Sequence, residues 1–490
     1  MRKGTRNIIK HGLLIIIFVL LVFAFKYDVL DDPYHWDALG GFVYISLDMY
    51  DHNFRLLPDV SRQFGHPPLF YLSLALAWKI FGYSISLSHV YVLILGALGL
   101  FFTYKIGEKL FDPTVGIAAA TLLFFNQLFF AQIGTLNDTM PVLTVSVMAV
   151  YFYLQKKRLW FILSGALAVA IKETNALLLL AIFLHFIGER YLQNKRIRLN
   201  DLCSAWFIIV PLTPLFAWFA YQKLMIGWAF RTDLMINAPN FMKVFGLNML
   251  RYLFYDPTDY AVNKYNFIIS GLIMIGLPSL IRMKKAGAKR AYALFTLLIL
   301  INMAFFSLTP DLPRYFTIIC PFFYIAGAGS IFLLLSKLKN KNLARGIYVL
   351  IIGTCVVLFI SNYYGDRTMQ GWLLESNMEY LDLLETHGQA AQYIESAFPD
   401  ATVITFWPMS DELTDRRKGY VTKEIDVLRI ERVISGAIKL NTSDQLIVYY
   451  SPQASYYSLL QSLDQTALVL IKRFECRNKY AEIYLYSPKP

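Results

Sequence analysis

Four places in this chain put ionisable side chains where an apolar setting makes them costly, and each invites a chemical question. Residues 26 to 66 carry seven aspartates, at 28, 31, 32, 37, 48, 51 and 59, against Lys26, Arg55 and Arg62. A solvated loop is often acidic without doing chemistry, and that reading suits most of the seven. Asp37 differs. It follows Trp36 and precedes the apolar run Ala38-Leu39-Gly40-Gly41-Phe42-Val43-Tyr44-Ile45, which predicts an amphipathic helix pressed on a bilayer. A carboxylate held at that boundary is placed to act as a base. Lys172-Glu173 interrupts an otherwise apolar stretch, 159 to 188. A local ion pair is the bland account, but adjacent helical residues do not face each other, which favours a functional Lys172. Asp138 stands after Asn137 at the start of another apolar run, either capping the helix that begins at Thr139-Met140-Pro141 or serving an active site; the two roles are compatible. His66 precedes Pro67-Pro68, and none of the seven histidines shows metal-ligand spacing. It reads as a structural or hydrogen-bonding group.

These residues need elements to hold them, and composition says what kind. The 490 residues are 57% hydrophobic and 16% charged, with a mean hydropathy of +0.46, values that a soluble protein of this length cannot sustain on its surface. The chain is an α-helical polytopic membrane protein. The run Ile8 to Phe25 is long and lacks a cleavage-like site, so it predicts an uncleaved first span. Further apolar segments predict spans at 89 to 107, 114 to 133, 138 to 154, 159 to 171, 174 to 188, 202 to 222, 265 to 281, 291 to 308, 313 to 335 and 344 to 362.

Charge fixes the parity. The net charge of +12 would suggest nucleic acid in a soluble protein; here the positive-inside rule accounts for it, and no nucleic-acid partner is expected. The basic N-terminus, Lys105/Lys109, Lys156-Lys157-Arg158, Arg190 to Arg198, Arg282 to Arg290 and Lys337 to Arg345 all fall on one side, the cytoplasm, only if Pro67 to Gly82 does not cross and if 159 to 188 is two short helices broken at Lys172-Glu173. The expected architecture has about eleven transmembrane helices plus juxtamembrane helices, with the first outer loop at 26 to 88. The N-terminus is then cytoplasmic and everything after the last span outside. The prediction is a multi-pass protein of the prokaryotic plasma membrane.

After Tyr364 the pattern changes. ATVITFW, DQLIVYY, TALVLIKRF and AEIYLYS read as strands, and Tyr380 to Phe398 and Ser455 to Leu463 as helices. The domains are therefore 1–365, membrane and catalytic, and 366–490, an extracytoplasmic α/β domain. In the latter, Trp407-Pro408 and Asp411-Glu412 read as exposed loop residues, either ordinary turn chemistry or acceptor contacts. The four cysteines give no disulfide framework. No GxGxxG or GxxxxGK[ST] sequence occurs.

Asp37-Ala38-Leu39-Gly40-Gly41-Phe42-Val43-Tyr44, then Phe54, then His66-Pro67-Pro68-Leu69 with Phe70-Tyr71-Leu72 and Phe81-Gly82, resembles the first outer loop of the polyprenyl-phosphate-sugar-dependent glycosyltransferases of the GT-C fold. That superfamily includes protein O-mannosyltransferases and lipid A aminoarabinose transferases. Thr135 to Pro141 is similar to its second outer-loop acid, Lys172-Glu173-Thr174 to its lysine-bearing turn, and Pro313-Arg314-Tyr315-Phe316 with Pro321 to its Arg-Tyr segment. Ala38 stands where many members have Glu, and His66 where the aminoarabinose branch has Lys.

The resemblance implies that Asp37 is the catalytic base of a single, inverting displacement. The donor would be a polyprenyl-phosphate sugar reached from the membrane, and the acceptor a hydroxyl on a protein, glycolipid or cell-envelope glycan at the outer face. Lys172 and Arg314, with Arg62 behind them, would bind the donor phosphate. Asp138, His66, Glu173 and Tyr315 are further active-site candidates. Arg231 and Arg251 read as lipid-headgroup contacts on an amphipathic stretch, 240 to 255. A monophosphate leaving group calls for less neutralisation than a diphosphate, so metal independence and no other cofactor are expected. The rival readings are a transporter or flippase of lipid-linked sugars, which would place charges mid-span and show paired halves, and a non-catalytic membrane scaffold.

Overall fold

A computed structural model describes residues 3–58, 65–229, 269–276, 286–306, 313–365, 378–430, 445–450, 468–477 and 479–486. The principal helices are α1 (Lys3–Lys26), α2 (Val43–Asp51), α3 (Leu69–Phe81), α4 (Ile85–Leu110), α5 (Pro113–Phe124), α6 (Thr139–Leu154), α7 (Arg158–Ile171), α8 (Ala176–Asn194), α9 (Thr213–Ile226), α10 (Ala286–Phe306), α11 (Cys320–Leu335), α12 (Lys341–Gly365) and α13 (Tyr380–Ala397). Their starts follow local rules. Ser84 accepts from the Leu87 amide at the head of α4, and Asp112 accepts from the Val115 amide at the head of α5, where Pro113 occupies the first turn. Helices α4 and α5 meet where Gly107 faces Gly116, so closely that a Cβ on residue 107 would lie 2.7 Å from the Gly116 Cα, the small-residue approach that membrane helices favour.

The chain is a multi-pass membrane protein. Seven stretches among the described residues are long and apolar enough to cross a bilayer: Ile9–Asp31, Ile85–Leu110, Glu173–Asn194, Trp206–Ile226, Gly287–Phe306, Arg314–Leu335 and Lys341–Ser361. The difference from the eleven expected has two sources. Helices α5, α6 and α7 have 12, 16 and 14 residues, short of the roughly 20 a bilayer needs, and only 269–276 of the expected span 265 to 281 is described. The stretch 159 to 188 is two helices, with Lys172 extended at φ −150°, ψ 128° between them. Buried Asn175 seals that break, donating to the Ala168 carbonyl at 2.7 Å and accepting from Ser146 of α6 at 3.1 Å. The 13-residue α3 packs on the first loop, Phe70 and Tyr71 against Phe42, and Trp78 against Tyr50.

Among the described residues the C-terminal region forms a five-stranded mixed sheet. Its strands are β1 (Thr402–Thr405), β2 (Val427–Arg429), β3 (Gln445–Tyr450), β4 (Leu468–Cys476) and β5 (Lys479–Tyr486), in the order β2-β1-β3-β5-β4. β1 pairs in parallel with β2 and β3, and β5 antiparallel with β3 and β4. Four of the five coincide with the β-rich runs of the sequence, and α13, against β4 and β5, with the first expected helix; Ser455 to Leu463 lies outside the described residues. The segment after β1 docks on the first loop. Tyr34 donates its amide to the Lys418 carbonyl and accepts at its own carbonyl from Tyr420, and Arg417 meets Asp51 at 2.9 Å.

Candidate active site

Asp37 lies at the junction between the first loop and a π-type turn, Ala38–Phe42, that runs into α2. Its side chain makes no capping hydrogen bond; it pairs with the Arg314 guanidinium, which comes from the turn Pro313–Ile319 ahead of α11. A third of the Asp37 side chain remains exposed, whereas Arg314 is mostly covered. Other acids of the loop have structural duties: Asp48 binds Arg55, Asp51 binds Arg417, and Asp31 accepts from Ser86.

Lys172, at the break between α7 and α8, reaches across to Asp138 at 2.9 Å. The sequence expectation that Asp138 caps α6 is corrected here: Asn137 accepts from the Thr139 amide at 2.9 Å, and Asp138 makes no capping bond. The bland expectation of a Lys172–Glu173 pair is also replaced, because Glu173 turns to His66, whose Nδ1 lies 2.9 Å away. Burial alone would lower the Lys172 pKa, but the Asp138 carboxylate outweighs it and the ammonium is held above its ordinary range. Burial likewise opposes the charged form of His66, yet the Glu173 carboxylate outweighs it and the imidazole is shifted up.

Tyr315 joins the two cations. Its ring lies 5.2 Å from the Lys172 nitrogen and 5.7 Å from the Arg314 carbon. Tyr71 of α3 joins the acids: burial first, then the charges of Asp138, Glu173 and Asp37, push its phenol well up. Asp37, Asp138, Lys172, Glu173, His66, Arg314 and Tyr315 are therefore brought to one end of the bundle. Arg62, Arg231 and Arg251 lie outside the described residues. Among the described residues no group of three or more His, Cys, Asp or Glu is arranged to hold a metal.

Two features escaped the sequence. Tyr71 sat unremarked inside a motif. Trp407 was expected to be exposed, yet its ring packs on Trp36, centroids 4.7 Å apart, and a Cβ on Gly40 would fall 3.3 Å from it. Trp36 itself has φ +45°, a left-handed backbone unusual for a bulky residue. The base candidate is thus gripped on both sides of its backbone by one residue of the C-terminal domain. Asp411 and Glu412, also expected in an exposed loop, are buried; they pair with Arg429 at 2.6 Å and His387 at 2.8 Å. An exposed turn and a buried turn share one composition, and the partners that distinguish them lie on distant elements.

Residues 65–218 match the family model described as dolichyl-phosphate-mannose-protein mannosyltransferase. That range holds His66, Tyr71, Asp138, Lys172 and Glu173 and ends before Arg314. No curated protein matches the chain. Among solved structures, ArnT from Cupriavidus metallidurans in the apo state gives a TM-score of 0.57 at 12% identity, covering 96% of this chain and 97% of its own. The same protein bound to undecaprenyl phosphate gives 0.54 at 13%, with the same coverage. The oligosaccharyltransferase of Archaeoglobus fulgidus in the apo form gives 0.52 at 12%, covering 84% of this chain and 64% of its own. At such identities the likeness is one of fold. The fold is GT-C, with a small C-terminal sheet domain.

Proposed function

We propose that the chain is an inverting glycosyltransferase that moves a sugar from a polyprenyl-phosphate donor to a hydroxyl acceptor at the outer face of the plasma membrane. The observation that carries this reading is the meeting of a partly exposed carboxylate, Asp37, with two covered cations, Arg314 and Lys172, at a single end of the helices. The bound undecaprenyl phosphate in one structural neighbour supports a lipid phosphate as the donor's carrier.

In the proposed step the acceptor oxygen attacks the anomeric carbon while Asp37 takes its proton. The bond from that carbon to the phosphate oxygen breaks, and the electron pair leaves with the polyprenyl phosphate. The base must face the sugar opposite the leaving group, as in single-displacement glycoside chemistry. Arg314, already on Asp37, orients the base. Lys172 is the cation assigned to the departing phosphate, since Arg314 is engaged with Asp37 while Asp138 and the Tyr315 ring hold the Lys172 ammonium in place. Fixed charges of this kind stabilise what develops in the transition state without reorganisation. The reaction so drawn uses no metal.

The test is a transfer assay on the purified full chain with polyprenyl-phosphate donors labelled in the sugar and membrane extracts as acceptor. Wild type should move label to the acceptor and Asp37→Asn should not, with its thermal melting unchanged. Transfer near the wild-type rate in Asp37→Asn sinks the assignment of the base. Donor translocation across vesicles without transfer by wild type replaces the enzyme with a carrier.

A further inference from the structure

At the opposite end of α6, α7 and α8 the structure holds a cavity of about 370 Å³. Its walls are the last turns of α6 and α8 and the first turns of α7 and α10. Five cations line it, Lys156, Lys157, Arg158, Arg190 and Arg290, against one carboxylate, Glu189. Glu189 is engaged by Arg290 Nε at 3.1 Å. Among the described residues the other four cations have no carboxylate partner.

Two of the guanidinium groups are nonetheless fixed. Arg158 lies over the Phe207 ring and Arg190 over the Phe186 ring, each at 5.2 Å. Stacking on a ring occupies the face of a guanidinium and leaves its N–H edge for an anion, in the fork geometry that suits phosphate oxygens. The turn before α7 is tied as well: Lys156 has φ +59°, and the Lys157 amide donates to the Phe152 carbonyl at 3.0 Å. The positive-inside rule explains basic loops, but it asks for neither a cavity nor an aromatic wall beneath the charges. Beside the cavity the surface is apolar and open, with Leu159 64%, Trp160 54%, Tyr191 51% and Trp206 50% exposed. Trp and Tyr at that level mark the border between headgroups and acyl chains.

We infer that this cavity binds the phosphate group of an anionic membrane lipid, its chains running over the Trp160 and Trp206 surface. A phosphate on a lipid and a free phosphate share the chemistry of the pocket; the apolar border favours the lipid.

The experiment is native mass spectrometry and equilibrium binding on the purified full chain. Dioleoylphosphatidylglycerol, dioleoylphosphatidylcholine and inorganic phosphate are titrated separately. The anionic lipid should bind at least about tenfold tighter than the zwitterionic one, and the double variant Arg158→Gln/Arg190→Gln should weaken it roughly twenty- to thirtyfold, the loss expected when two basic residues leave an anionic-lipid site. Lys156→Gln, at an exposed turn, gives a second variant that should weaken binding several-fold if the double variant does not fold. Equal binding of both lipids, or a folded double variant with undiminished affinity, overturns the site. Inorganic phosphate binding as tightly as the anionic lipid overturns the lipid as its source.

Discussion

The two ends of helices α6, α7 and α8 carry opposite solutions to the same electrostatic problem. At the Asp37 end each cation among the described site residues has its acid: Arg314 with Asp37, Lys172 with Asp138, His66 with Glu173. At the other end four of the five cavity cations have none among the described residues. The distance between the ends is the length of α7, about 21 Å for 14 residues. Paired charges lose solvation but gain a fixed geometry, which a reacting centre needs. Unpaired cations remain available to the nearest anion, which in a membrane is a headgroup. The difference teaches that charge count separates the two sites less well than charge compensation does.

If that contrast is real, the compensated end should respond to loss of single atoms and the other end to loss of summed charge. The largest expected effect is that of Asp37→Asn, which keeps shape and removes the base: a fall in kcat of about 10²- to 10⁴-fold is the ordinary worth of a general base. Lys172→Gln comes next. It removes the cation assigned to the leaving phosphate and strands Asp138, so kcat should drop roughly 10²- to 10³-fold, while a donor with a better leaving group should recover part of the loss. An equal penalty for good and poor leaving groups would falsify the role given to Lys172. Arg314→Lys, which keeps charge but loses the planar fork, should hurt less than Lys172→Gln if Arg314 only orients the base.

Trp407→Ala sharpens the comparison from a distance. The substitution leaves every side chain of the proposed step in place, yet it frees Trp36 at φ +45° and opens the space over Gly40. We expect kcat to fall about tenfold, within the range a small misplacement of a reacting group can cause, with donor KM nearly unchanged and with rescue by Trp407→Phe. A change in KM with kcat intact would mean that Trp407 handles substrate and does not position Asp37.

Much of this was legible in the sequence, for reasons that differ by residue. The helices were legible because apolar runs near bilayer length leave little choice, and the break at Lys172 because two basic clusters must share a side. Four strands of the C-terminal sheet were legible from β-branched and aromatic runs, whereas the three-residue β2 is too short to leave a pattern. The pairs were not. Lys172 finds Asp138, 34 positions away, and nothing local says that it should prefer that acid to its neighbour Glu173. Asn137 and Asp138 are both good caps, and only the fold decides that the first caps and the second binds Lys172. The grip of Trp407 on Trp36 joins residues from opposite ends of the chain, beyond any periodicity.

The smallest expected effect concerns the His66–Glu173 pair and rests on its pH dependence. His66 is shifted up from 6.5, so its contribution is complete below that value and is lost as pH rises through its raised pKa. The contribution of His66 is thus whole below 6.5 and falls away on the alkaline side. Since His66 keeps about a quarter of its side chain exposed, solvent screening limits the effect to roughly 1 kcal/mol or less. Thermal melting of wild type and His66→Gln from about pH 5 to about pH 9 measures it: the gap between the two should be full at the acidic end and close on the alkaline side. A gap that does not change with pH would show that His66 acts through packing at the entrance of α3 and carries no charge in the folded protein.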